Sequence, residues 1–173
     1  MNLRHGLWPM ALVLLIAGCG QHEDAPIPET ASTTSASSPA TTASADRTAV
    51  REVVERFGKQ MQKVSVLAPP DAMRPQLKQV YGDLLSPDLL QAWLADPSQV
   101  VGRDVSSPWP EGIDIERIDC PTAIRCYVQG QVRYVTSNEV EHGGMAARRP
   151  VRLRVERIND GGWRIAAVEV GKS

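Results

Sequence analysis

The side chains best equipped for chemistry in this chain are its three cysteines, Cys19, Cys120 and Cys126. A thiolate can attack an electrophile, bind a metal or join a disulfide. Cys120 and Cys126 form a CxxxxxC pair with no histidine nearby, a poor spacing for zinc. Thioredoxin-like chemistry uses CxxC instead. His142 stands beside Glu139 and Glu141, but it is the only histidine after His22. These residues sit on a Gly-rich turn, and adjacent strand positions point to opposite faces. The expectation is a solvated hairpin tip and no metal. Trp109 lies between Pro108 and Pro110 in a loop that also holds Arg103. An aromatic stiffened by two prolines could stack on a ligand while Arg103 holds an anion. The opposing reading makes Trp109 a core residue, since tryptophan is highly buried on average. Tyr134 is the third candidate for ligand contact, and as a lone tyrosine it also reads as a core aromatic with a satisfied hydroxyl.

Catalysis by proton transfer needs an acid and a base within reach of one substrate. The second strand presents Cys126, Val128, Val132 and Tyr134 to one side, an almost wholly apolar row. Glu169 could face the same interior, but residues 163–170 alternate poorly and leave its side open. No acid–base pair emerges, so the expectation is a protein that is not an enzyme and uses no cofactor.

At the other end of the chain, Leu12-Val13-Leu14-Leu15-Ile16-Ala17-Gly18-Cys19 follows a basic start at Arg4 and His5. The run is shorter than the roughly 20 apolar residues that span a bilayer. It suits the apolar core of a signal peptide, with small residues before the cut. Ile16-Ala17-Gly18-Cys19 resembles a bacterial lipobox. That resemblance implies diacylglyceryl transfer to the Cys19 thiol, cleavage before it and acylation of the new amino terminus. Two or more acyl chains hold a protein stably on a membrane. The residue after Cys19 is Gly20. In a Gram-negative cell this resembles lipoproteins sent to the outer membrane, facing the periplasm. In a Gram-positive cell the anchor would sit on the outer face of the single membrane. With Cys19 taken by lipid, Cys120 and Cys126 remain, and an even pair in an exported chain reads as a disulfide.

The whole chain carries 19 basic and 20 acidic residues. Loss of Arg4 with the signal peptide changes this little, so strong non-specific attraction to nucleic acid is not expected. The expected partners are the membrane, through the N-terminal lipid, and a protein of the envelope. Residues 1–18 read as the signal peptide, 19–46 as the lipidated start and a disordered tether, and 47–173 as the folded domain. From Ala31 to Ala45 every residue is Ala, Ser, Thr or Pro, a composition that cannot build a core. As a flexible coil, the 27 residues 20–46 would span roughly 30 Å.

The folded part opens with a helix starting near Asp46, a plausible cap. Val50, Val53, Val54, Phe57, Met61 and Val64 recur on one side. A second helix is expected from Pro75 to Leu85. A third begins at Ser86-Pro87, cap and first position, and ends before Pro97. Residues 97–112 read as a loop. The period then changes to two: a strand from Ile113, another through Cys126–Tyr134, a third through Val151–Val155 and a last from Trp163 to Val170. Asn138–Ala147 reads as a turn centred on Gly143-Gly144, and Asn159-Asp160-Gly161-Gly162 as a hairpin turn. Arg148, Arg149, Arg152, Arg154, Arg157 and Arg164 crowd the last hairpin. They form either an ordinary solvent face or a surface for acidic partners. The fold class is α+β, with N-terminal helices packed on a curved four-stranded antiparallel sheet.

This order resembles the NTF2-like superfamily, whose domains are cones of sheet around N-terminal helices. Leu85-Ser86-Pro87-Asp88-Leu89-Leu90, Gly102-Arg103, Ser106-Ser107-Pro108-Trp109-Pro110 and Gly143-Gly144-Met145-Ala146-Ala147 are similar to a family of uncharacterised secreted bacterial proteins. The resemblance implies a cone in which the Gly102–Pro110 loop is a lid or Trp109 a plug. It brings no activity, because the superfamily hosts enzymes, ligand binders and secretion-system subunits. The function expected is a non-enzymatic, membrane-anchored binding module. The alternatives are an accessory subunit of a secretion or conjugation apparatus and a small-ligand carrier using the cone.

Overall fold

Helix α1, Pro39–Met61, buries Val50, Val53, Val54, Phe57 and Met61 at helical spacing. The structure, a computed structural model, describes residues 39–172. The expected signal peptide, Cys19 and the expected tether up to residue 38 lie outside the described residues. The helix starts at Pro39, upstream of Asp46. Residues 39–46, assigned to the tether by composition, are therefore helical. Proline tolerates the first helical position, where no N–H is needed, and Ala40, Ala43 and Ala45 are strong helix formers. Asp46 is no cap: its carboxylate accepts a hydrogen bond from the Arg157 guanidinium.

Helix α2, Pro70–Tyr81, also begins upstream of its expected start, with Pro75 in its interior. Met73, Leu77 and Tyr81 are its buried stripe. Helix α3, Pro87–Ala95, follows the sequence reading: the Ser86 hydroxyl accepts from the Leu89 N–H, and Pro87 opens the helix. The three helices meet in an aromatic triangle. Phe57 lies 5.1 Å from Tyr81 and 6.4 Å from Trp93, and the last two are 5.7 Å apart, centroid to centroid. Burial pushes the Tyr81 phenol pKa far up. Tyr81 stays neutral and donates to the Val101 carbonyl at 2.8 Å.

Strands β1 (Trp109–Thr122), β2 (Arg125–Val135), β3 (Ala147–Arg157) and β4 (Trp163–Val170) form one antiparallel sheet in the order β1-β2-β3-β4. One face carries Ile113, Val128, Val132, Val151, Leu153, Val155, Trp163 and Ile165, and these share a single buried cluster with the apolar stripes of the helices. We call this the inner face. Cys120 and Cys126 are joined by a disulfide across the β1–β2 hairpin. Gly130 interrupts the apolar row for a steric reason. A Cβ there would lie 2.4 Å from the Asp114 carbonyl oxygen of the neighbouring strand.

Three differences from the sequence reading have local causes. β1 begins at Trp109, inside the expected loop, and register shifts fall at Glu111 and Glu116. β4 alternates poorly because Ala166 is an extra residue: Val155 pairs with Ile165 while Arg154 pairs with Ala167. Such a bulge inverts the side-chain phase. The stretch expected as a turn contains a short helix, α4, Ser137–His142. Thr136 and Glu139 close a capping box around its start. The Thr136 hydroxyl's hydrogen bond holds the Glu139 carboxyl below its ordinary pKa.

Candidate functional site

The inner sheet face is apolar until the end of β2, where Tyr134 closes the row, 3% exposed. The next strand supplies its neighbour. Arg149 pairs with the inward Val132, so its Cβ shares that face. The Arg149 guanidinium lies 4.9 Å from the Tyr134 ring centroid, a cation–π contact. Its Nη1 also donates to Asp104 Oδ2 at 3.2 Å. Asp104 is brought here by a short parallel bridge between Ser65 and Arg103. In that bridge the Arg103 N–H donates to Val64 and the Val66 N–H donates to Arg103. Gly102 is required by this approach, since a Cβ would lie 2.5 Å from the Val64 oxygen.

Together these elements border an open cavity of about 330 Å³. Val66, Val100, Val101 and Val170 form its apolar walls, while Asp104, Tyr134, Arg149 and Lys172 supply polar groups. Asp104 Oδ1 is buried and has no hydrogen-bond partner among the described residues. Burial raises the Tyr134 phenol pKa. The charge and hydrogen bond of Arg149 act against that rise, and the Asp104 charge adds to it. The site thus offers a neutral phenol, a guanidinium, an open carboxylate oxygen and a valine wall. That set can hold a small molecule or an inserted side chain with an apolar body and a polar end.

Of the three residues expected at a ligand site, the structure places Tyr134 in the cavity and separates the others from it. Arg103 is half-buried and contributes its backbone to the bridge; its neighbour Asp104 lines the cavity. Trp109 is half-buried at the first position of β1, opposite Val135. It belongs neither to the main core cluster nor to the cavity lining. Arg149 is readable in the sequence: Ala147, Arg149, Val151 and Leu153 keep one period-two face, so an arginine interrupts an apolar row. Asp104 carries no comparable signal.

The arginine-rich hairpin divides among several environments. Arg149 faces inward, and Arg157 bonds Asp46 and lies 4.9 Å from the Trp163 ring centroid. Arg154 lies 3.4 Å from Glu156 and Arg164 lies 3.5 Å from Asp160. Arg164 is opposite Glu156 in register. Glu169 is exposed on the outer face, opposite Arg152. His142 Nδ1 lies 3.1 Å from the Asn138 carbonyl oxygen, and Glu139 is engaged by Thr136. Among the described residues, no three His, Cys, Asp or Glu side chains converge as a metal site. No helix among them is long and apolar enough to cross a membrane.

Compared with known protein families, curated proteins and solved structures, the chain matches none.

Proposed function

We propose that this chain is an envelope lipoprotein with an NTF2-like domain that binds a partner or ligand without transforming it. The observation that carries the binding role is the cavity formed by Tyr134, Arg149 and Asp104 at the end of an apolar sheet face. The NTF2-like reading is supported by the element order and by the buried cluster shared between helices and inner sheet face. Export is supported by the lipobox-like Ile16-Ala17-Gly18-Cys19 and by the Cys120–Cys126 disulfide, which suits an oxidising compartment. In a Gram-negative cell, Gly20 favours the outer membrane. The tether would then let the domain reach targets near that surface, a protein partner in the envelope being the first candidate. The volume of this open cavity also favours a second reading, a carrier of small ligands.

A photo-crosslinking residue at Val101, on the cavity wall, tests the binding role in cells producing the full chain. The expected result is a discrete adduct, with a protein or with a small molecule retained in native mass spectrometry. Arg149→Gln should reduce its yield several-fold. Absence of any adduct, or an adduct indifferent to Arg149→Gln, would reject the site.

A further inference from the structure

The outer face of the sheet has a charge pattern that the cavity does not explain. Two rows of side chains cross all four strands. One row is Arg117, Gln129, Arg152 and Glu169; the next is Asp119, Tyr127, Arg154 and Ala167. Except for half-buried Ala167, all are exposed, and they surround a groove of about 490 Å³. Elsewhere on this face the arginines are paired. Arg125 lies 2.9 Å from Glu156, Arg133 lies 2.8 Å from Glu111 and 2.7 Å from Asp114, and Arg164 has Asp160. Among the described residues, Arg117, Asp119, Arg152 and Glu169 have no ion-pair partner within 4.0 Å. Arg152 and Glu169 remain apart although they are register neighbours.

The unpaired set holds two bases and two acids, so it suits neither a purely acidic nor a purely basic partner. Its order suits its own copy. We infer that the outer face docks on the same face of a second copy, about a two-fold axis running along the strands between β2 and β3. That rotation keeps each row at its own level and reverses its order. Arg117 then faces Glu169 of the second copy, and Gln129 faces Arg152. Tyr127, 43% exposed, faces Arg154, a cation–π pair. Arg125 faces Glu156. Each pair occurs twice, as two-fold symmetry requires. Asp119 faces Ala167 and stays at the wet rim. The same rotation carries a twisted sheet onto a saddle of the same hand, so the two faces nest.

The area fixes the strength. The matched rows span about six residues at about 3.3 Å each, across four strands about 4.8 Å apart, which gives on the order of 400 Å² a side. That total lies below the standard size of specific interfaces, so the dimer is weak and reversible. Confinement of copies on one membrane would raise their effective concentration and populate it. The paired side chains all lie on the sheet, and their contacts require neither the lipid nor the cavity.

Sedimentation equilibrium of the full-length chain in neutrally buoyant detergent tests this with a charge exchange. The wild type should show concentration-dependent dimerisation. Arg117→Glu and Glu169→Arg should each weaken it about tenfold, because each places like charges opposite one another twice. The double variant carrying both substitutions should return to within about threefold of wild type, since the pair is restored with its signs exchanged. Recovery in the double variant also shows that neither substitution prevents folding. A wild type that stays monomeric at millimolar concentration, single variants that associate like wild type, or a double variant no better than the singles would overturn the inference.

Discussion

Phe57→Ala is expected to lower the unfolding free energy by roughly 3–5 kcal/mol, the usual cost of emptying a large buried aromatic site. Phe57 is completely buried in α1 and touches both other members of the aromatic triangle, Tyr81 and Trp93. Those two belong to α2 and α3, so one side chain ties three helices together. The neighbours are held by other contacts and cannot simply close the space. Tyr81 is fixed by its hydrogen bond to Val101, and Trp93 sits 2% exposed among the helices. Urea unfolding of the full chain, compared with Phe57→Leu, measures the effect. Leucine should retain part of the packing and cost less than alanine. A loss below about 1 kcal/mol for Phe57→Ala would mean that the triangle is not the centre of the core.

Removing the disulfide should have the next largest effect. The bond closes a short loop from Cys120 to Cys126, and the chain-entropy treatment gives about 2 kcal/mol for a loop of this length. Alanine is the better replacement, because Cys126 is fully buried and a serine hydroxyl would lack a partner there. Unfolding curves of wild type and of Cys120→Ala/Cys126→Ala should therefore differ by about 2 kcal/mol under oxidising conditions. Adding a thiol reductant should bring the wild-type curve toward that of the variant and leave the variant unmoved. A wild-type curve indifferent to reductant would show that the hairpin is held without the bond.

Local patterns made much of the fold legible. The stripe from Val50 to Met61, the Ser86-Pro87 start and the alternation of Cys126–Tyr134 and Val151–Val155 each correspond to an element in the structure. Where local patterns compete, the reading fails. Residues 39–46 look like linker by composition, yet their alanines extend α1. Trp109 and Pro110 look like loop because of their flanking prolines, yet pairing with Val135 and Tyr134 makes them strand. In β4, Ala166 shifts the phase and hides which side Glu169 takes.

The candidate site was half legible for similar reasons. Tyr134 follows from its place in an alternating strand. Arg149 follows from the same parity on β3, but its arginine-rich surroundings make it look like surface charge. Asp104 reaches the cavity only through the bridge between Arg103 and Ser65, a contact that no sequence spacing announces. The charge rows of the outer face need the complete register of four strands, two of them bulged. That register does not follow from the alternation alone.

The central proposal, a binding domain held at the membrane by lipid, depends first on Cys19. Intact and peptide-level mass spectrometry of the protein isolated from its own cells addresses it directly. The expected result is a mature chain beginning at Cys19, with a diacylglyceryl group on the sulfur, and Cys19→Ser should release the protein from the membrane fraction. A mature chain that keeps residues 1–18, a free thiol on Cys19, or a Cys19→Ser protein that still partitions like wild type would contradict it.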